Sequence, residues 1–353
     1  MTDYFIALDV HCAFAEMAVV TSHGKLVRRE RCDTAIPAIV ERLQQVRRRR
    51  RLTFEEGPLA DWLARELRSH VDELIVCEPR RNHWIARDSD KDDPVDALKL
   101  AELYRGGYLK AVHQAGSLER SLLKQQVLLD HDRVRERVRQ GNQLVGLCRR
   151  HGVFVRATDL LDDECWQRRL GTLPAHALLR SGWEFVREAY VLLSTREEAL
   201  RASLAGVAKN IPEVQRFTAL PGIGWIRGVT FYALIDTPHR FRSKAALWRY
   251  CGIGLERRHS GNGPLRTRLS RQGHRRLKDV FLGAAKSALA LGDNPFADKY
   301  QAWREQGLHP ANAKRNVARA LATTLWSLWK NEHAYDPKRV VPGMTSDQLR
   351  DVR

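Results

Sequence analysis

Asp9 breaks an otherwise apolar, strand-like run, Phe5-Ile6-Ala7-Leu8 before it and Val10 after it. A carboxylate inside such a run is costly unless it is paired or bound to a cation; an Asp at a strand end facing water is the competing reading. Glu55 and Glu56 follow Leu52-Thr53-Phe54 and precede Gly57-Pro58, at the end of another short apolar run. They read as a polar loop start, or, if Asp9 lies on a neighbouring strand, one of them can share a cation with it. Asp93-Pro94-Val95-Asp96 opens a helix. Asp93 suits the N-cap, Pro94 the first turn and Asp96 the positive end of the macrodipole. The i, i+3 spacing also puts both carboxylates on one face. Asp9, Glu55, Asp93 and Asp96 together have the donors to hold two Mg2+ ions and stabilise charge at a phosphodiester.

A second kind of chemistry is written further along. Ser260 sits in Arg257-Arg258-His259-Ser260-Gly261-Asn262-Gly263, with Arg266, Arg268, Arg271, Arg275 and Arg276 downstream. Small neighbours leave a hydroxyl accessible, and guanidinium groups match phosphate oxygens bidentately. That setting suits a serine nucleophile attacking phosphorus. A basic loop that binds nucleic acid with no covalent step is the alternative, and the residues alone favour it. Leu220-Pro221-Gly222-Ile223-Gly224 is a tight turn before a helix, and Gly222 and Gly224 would let backbone N–H groups approach a phosphate. An ordinary helix–helix connection explains it as well. Arg47 to Arg51 are five consecutive arginines after a helix, either a solvated helix end or a phosphate contact.

The elements that must position these residues form an α/β part followed by an all-α part. Tyr4–Val10, Glu16–Val20 and a run starting at Leu26 read as a meander. A helix follows from Ile36 to Val46, then a strand (52–54), a helix (59–67), a strand (74–77) and a helix (95–104), which predicts a mixed sheet covered by helices. Residues 117–150 have drifting heptad spacing and predict a long helix or helical hairpin, a coiled-coil arm with its bend at Gly141-Asn142. A second helix over 183–209 would return against it. The rest is expected to be mostly helical, ending in a helix over 311–331 and a loosely held tail from 332. The expected organisation is 1–112, 113–210, 211–335 and a tail over 336–353.

Charge narrows the partners. The 353 residues carry 60 Lys and Arg against 42 Asp and Glu, a formal net charge of +18. Residues 1–112 hold 19 of each sign, so the whole excess lies in 113–353. A basic body of this kind points to a polyanion, most often nucleic acid. At 43% apolar residues the chain is not disordered, and no run is long enough to span a membrane. Six scattered cysteines with no C-x-x-C pair, and no secretory signal after Met1-Thr2-Asp3, lead us to expect a reduced, cytoplasmic protein.

These pieces together resemble the DEDD transposases of small bacterial insertion sequences, bridge-RNA-guided serine recombinases. The resemblance runs over roughly residues 3–335. "ALDVH" looks like the first strand of their RuvC-like, RNase H-like domain, "TFEEG" like the second acidic position, and "KDDPVDALKLAELY" like the family's K-T-D-x-x-D-A helix start. "LPGIG", "LWRYCGIGLERRHSGNG" and "LSRQGHRRLKDVFLGAA" look like the C-terminal transposase domain. The resemblance implies that Asp9, Glu55, Asp93 and Asp96 bind Mg2+, with Glu55 chosen over Glu56 because it directly follows the apolar strand. It implies that Ser260 forms a transient phosphoserine link to a DNA end, and that Arg257, Arg258, Arg266, Arg268, Arg271, Arg275 and Arg276 grip nucleic acid. Donor and target DNA, a structured guide RNA and a homodimer or homotetramer are the implied partners, with the acidic site of one subunit working with the serine of another. Asp92 stands where Thr is usual, and His259 where Gln is frequent. A site-specific DNA invertase of the same build and a non-catalytic nucleic-acid binder are the alternatives.

Overall fold

The computed structural model describes residues 3–79, 93–258, 266–270 and 272–340; of 93, 94, 257, 258 and 266–268 it describes the backbone alone. The chain divides into two units, residues 1–121 and 122–353.

In the first unit, β1 (Tyr4–Val10), β2 (Phe14–Thr21) and β3 (Leu26–Asp33) form the expected antiparallel meander. Helix α1 (Ile36–Gln44) leads to β4 (Arg50–Glu55), and α2 (Ala60–Leu67) leads to β5 (Glu73–Cys77). Both later strands pair parallel, so the mixed sheet has the order β3-β2-β1-β4-β5. Alternation along β1 sorts its residues by face. Ile6 and Leu8 join Leu52, Phe54, Ile39 and Leu63 in the core under α1 and α2. Phe5 and Ala7 join Ala97, Leu100, Ala101 and Tyr104 of α3 (Asp93–Arg105) in the core on the other face. A mixed sheet between two helical layers buries both faces, which is why β1 and β2 are nearly continuous apolar runs.

The second unit is helical apart from one hairpin. Helix α4 (Leu118–Arg149), most of which lies in this unit, runs antiparallel to α6 (Ala177–Lys209). Near one end of the pair Leu144 and Cys148 pack with Trp183 and Tyr190; near the other Val127 packs with Leu204 and Ala208. Between them, α5 (Asp163–Thr172) closes the end with Trp166 and Leu170. Two buried acids tie the pair: Glu197 accepts from Arg137 at 2.5 Å and pairs with Arg201, which also pairs with Asp130.

Three sequence expectations need correction here. There is no bend at Gly141-Asn142, because α4 is one continuous helix. A Cβ on Gly141 would stand 2.9 Å from the Tyr190 ring, so this glycine makes room for the facing helix. Helix α6 starts six residues before the expected Trp183, at Ala177. The expected seam is also only partly a seam: Val127 and Val145 are buried, while Leu118, Leu122 and Val138 are exposed.

Helices α7 (Pro212–Thr218), α8 (Trp225–Ile235), α9 (Lys244–Tyr250), α10 (Arg275–Leu291), α11 (Pro295–Glu305) and α12 (Pro310–Lys330) build the remaining core. Helix α12 supplies its centre with Val317, Leu321, Leu325 and Trp329. Between α9 and α10 stands an antiparallel hairpin, β6 (Leu255–Arg258) and β7 (Arg266–Leu269), which the sequence reading did not anticipate. The tail expected from residue 332 is packed as far as Val340, which is buried against this core beside Tyr335. Residues 341–353 lie outside the described residues. No described helix is long and apolar enough to cross a membrane.

Candidate active site

The sheet brings two of the singled-out acids together by register. Leu8 pairs with Phe54 across the parallel β1–β4 ladder, so Asp9 and Glu55 are neighbours at the C-terminal ends of adjacent strands. Alternation puts both on the face covered by α3: Asp9 continues Phe5 and Ala7, and Glu55 continues Arg51 and Thr53. Glu56 lies beyond the strand, exposed, its N–H donating to the Cys77 carbonyl at 2.8 Å. Open α/β sheets characteristically present their reactive groups at this strand end.

Helix α3 adds Asp96. Tyr104, at the end of α3, meets Phe5, at the start of β1, edge-on at 5.4 Å. The Oδ1 atom of Asp96 is buried and has no hydrogen-bond partner among the described residues. A buried oxygen in that condition needs a cation, a proton or water to offset its lost hydration. Asp9 is half-buried and accepts from or pairs with His11, whose Nε2 lies 3.2 Å from Asp9 Oδ2. His11 in turn stacks on Phe14 at 4.6 Å. The sequence reading passed over His11; its place two residues after Asp9, on the same side of the extended chain, was the available signal. Among the described residues no three Asp, Glu, His or Cys side chains stand close enough to share a metal ion. The Asp93 side chain lies outside the described residues, although its backbone opens α3.

Ser260 belongs to the second unit and, with His259 and Arg271, lies outside the described residues. The strands that flank Ser260 are described. Their register sets Arg258 opposite Arg266 and Glu256 opposite Arg268. The base of the hairpin is fixed more firmly. Ser270 N–H donates to the Gly254 carbonyl at 3.0 Å, and its hydroxyl donates to Glu256 at 2.7 Å. Arg319 of α12 donates to the Ile253 carbonyl at 2.9 Å and to Asn316. Its burial lowers the guanidinium pKa to about 10, aided by the neighbouring Arg315 charge.

The other predicted contacts differ in kind. Arg275 is exposed at the start of α10. Arg276 is engaged already, 2.5 Å from Asp132 of α4. Gly222 has φ of +79°, and a Cβ there would collide with the Ala284 carbonyl oxygen of α10. Its glycine is thus required by helix packing, whatever approaches the turn from outside. Gly224 is the N-cap of α8 with open space about it, and nearby Arg227 donates to the Gly222 carbonyl at 2.6 Å. The turn borders a cavity of about 660 Å³.

Comparison with known proteins matches a segment of the second unit to a family and longer stretches of the chain to individual proteins. Residues 214–301 match the family described as "Transposase IS116/IS110/IS902 family". The chain is 23% identical over 254 residues to a transposase for insertion sequence element IS1111A from Coxiella burnetii, covering 70% of this chain and 69% of that protein. It is 25% identical over 233 residues to a putative transposase, y4qE, of Sinorhizobium fredii, covering 66% of this chain and 57% of that protein. A third similarity, 24% over 119 residues, is to an uncharacterized 44.8 kDa protein of insertion element IS116 from Streptomyces clavuligerus, over 34% of this chain and 30% of that one. The matched segment 214–301 contains the Leu220–Gly224 turn, both hairpin strands and α10, and the similarities together support a transposase of an insertion-sequence family.

Proposed function

We propose that this protein cuts and rejoins the DNA of an insertion sequence through a metal-dependent, serine-mediated strand exchange directed by a structured RNA. The observation that carries the proposal is the meeting of Asp9 and Glu55 at the ends of adjacent parallel strands, on the sheet face covered by the helix that bears Asp96, whose buried Oδ1 has no hydrogen-bond partner among the described residues. An RNase H-like reading of the mixed sheet rests on the same strand order and on the acids' place at its carboxyl end.

Asp9, Glu55, Asp93 and Asp96 would hold Mg2+, whose charge would stabilise the oxygens that gain negative charge at phosphorus. His11 orients Asp9. Ser260 Oγ attacks the phosphorus of a scissile linkage: an Oγ–P ester forms, the P–O ester to one deoxyribose breaks, and the departing oxygen takes up a proton. In the second half a hydroxyl of the partner strand attacks the phosphoserine and frees the Ser260 hydroxyl. One ester is exchanged for another at each half, so rejoining needs no nucleotide hydrolysis. The basic residues around the hairpin hold the DNA, and pairing with a guide RNA would select the sequence. The acids and the serine belong to different units, and in this proposal they meet at one linkage in a dimer or tetramer.

The test uses the purified full chain, Mg2+, the element's end DNA and the RNA encoded beside it. Ser260→Ala abolishes the denaturation-resistant protein–DNA adduct while leaving DNA binding. Asp96→Asn keeps the fold and abolishes Mg2+-dependent cleavage. Adduct formation by Ser260→Ala at the wild-type level would refute the nucleophile, and undiminished cleavage by Asp96→Asn the metal site. RNase treatment should stop recombination; persistence after it favours a protein-read invertase.

A further inference from the structure

We propose that Arg47, Arg48, Arg49 and Arg50 form a second nucleic-acid site, a cleft for a phosphodiester backbone at the pole of the sheet opposite the carboxylates. Arg47, Arg48 and Arg49 make up most of the connection from α1 to β4, Arg50 opens β4, and with Gln44, Val46 and Asp72 the four arginines line a cavity of about 470 Å³. Arg50 pairs with Tyr4 at the start of the β1–β4 ladder, whose far end holds Asp9 and Glu55. Five strand steps separate the two poles, about 17 Å. The carboxylate end is therefore out of reach of these side chains, and the cleft is a separate contact.

Pairing shows what is unusual about it. Several arginines elsewhere in the first unit have acids beside them: Arg28 with Glu30, Arg31 with Glu16, Arg65 with Asp61, Arg105 with Glu102. The fifth residue of the run, Arg51, pairs with Asp3 and Glu73, both at 3.2 Å. Arg47 to Arg50 make no ion pair among the described residues. The single acid of the cleft, Asp72, uses Oδ2 to accept the Arg50 backbone N–H at 2.7 Å. Arg50 Nε is buried with no hydrogen-bond partner, and Arg47, Arg48 and Arg49 are exposed.

A helix C-terminus does not account for this. Helix α1 ends at Gln44, and the dipole's attraction for cations falls off within the last turn, so Arg48 to Arg50 gain little from it. Four like charges in one cleft repel one another in the free protein. A chain of phosphates relieves that repulsion and offers planar acceptors to guanidinium forks. Residues 1–112 are neutral in sum, and that sum conceals a local excess of unpaired arginines at this end of the sheet. A backbone held in the cleft orients the nucleic acid without touching the reacting phosphorus.

The experiment measures binding of the full chain to a 30-base-pair duplex of arbitrary sequence and to an RNA hairpin of equal length, from 50 to 200 mM salt. Arg47→Ala/Arg48→Ala/Arg49→Ala is compared with Arg47→Lys/Arg48→Lys/Arg49→Lys. These side chains are exposed, so urea midpoints stay at the wild-type value. If each arginine holds one duplex phosphate, the alanine variant's slope of log K against log salt becomes shallower by about 2.7, at about 0.9 per contact. The lysine variant keeps most of the slope. A change confined to the duplex assigns the occupant as DNA, one confined to the hairpin as RNA. Unchanged slopes on both, or a lysine variant as defective as the alanine one, overturns the proposal. The slopes are read without Mg2+ on nucleic acid of arbitrary sequence, where no cleavage occurs, so a failure of the cleft is distinguishable from a failure of the cleavage chemistry.

Discussion

His274 offers a quantitative check on how the second unit is built, because replacing it with Phe removes one titration and little else. The residue precedes α10, its N–H donates to the Tyr250 carbonyl at 2.6 Å, and its ring lies tilted 6.0 Å from that of Tyr250. Nδ1 is buried without a partner. Burial first, then the charges of Arg276, Lys124 and Arg240 and the nearby His131, push its pKa down to about 4. The ordinary value is about 6.5. Between these two values the unfolded chain binds a proton that the folded chain does not, so stability rises with pH across this window and falls as pH drops through it. At about 1.4 kcal/mol per pKa unit, the group accounts for about 2–3 kcal/mol lost between pH 7.5 and pH 4.5. His131 is also held below its ordinary value, chiefly by burial, so the informative quantity is a difference between proteins. Urea unfolding of wild type and His274→Phe at pH 4.5, 5.5, 6.5 and 7.5 should give curves that diverge toward acid, the variant being the flatter. Parallel curves over the whole range would mean that His274 is solvated or paired, and the reasoning about its burial would be wrong.

Gly222→Ala must place a left-handed alanine against α10. Left-handed strain of about 1–2 kcal/mol and overpacking of about 1–3 kcal/mol predict a loss of about 2–5 kcal/mol in urea unfolding, whereas Gly224→Ala, with open space around it, changes stability by under about 1 kcal/mol. An equal effect of the two would remove the packing explanation for Gly222. On α6, Leu178, Phe185 and Leu192 recur every seven residues and are 78%, 73% and 57% exposed. If this stripe pairs copies of the chain, changing all three to Ser halves the mass seen by light scattering without moving the monomer's unfolding midpoint; an unchanged mass places the contact elsewhere.

Legibility followed the range of the interactions. The first unit was readable almost element by element because each signal is local: the apolar runs of β1 and β2, the short apolar runs of β4 and β5, and Asp93-Pro94 at a helix start. Asp9 and Glu55 stood out as acids at the ends of apolar runs, and the parallel register then made them neighbours. Gly141 misled because its partner, Tyr190, is far along the chain; locally a glycine in a long helix reads as a break. The exposed Leu118 and Leu122 misled for the same reason, since only the course of α6 decides which side of α4 is covered. The β6–β7 hairpin was hidden because arginines fill its strands, leaving no apolar alternation to read. The unpartnered oxygen of Asp96 could not be seen from spacing, because it depends on what surrounds it.

The anchorage of the hairpin shows why a buried cation is tolerated in this core. Arg319 loses hydration worth roughly 3 kcal/mol by its lowered pKa, taking about 1.4 kcal/mol per unit. Hydrogen bonds from a charged donor contribute about 1.5–3 kcal/mol each, and Arg319 makes two, to the Ile253 carbonyl and to Asn316. The two terms nearly cancel, so the arginine adds little to overall stability. What it adds is position. It joins the middle of α12 to Ile253, two residues before β6 and 66 positions away in the chain, and its own carbonyl accepts from Trp248 of α9 at 3.1 Å. A leucine there would fill space but leave the Ile253 carbonyl without its donor and the hairpin's base free to shift. In the proposed reaction, a nucleophile on the segment joining these strands needs its base held to within a fraction of an ångström of a productive geometry. A side chain whose energetic terms offset each other while fixing geometry is what that requirement selects.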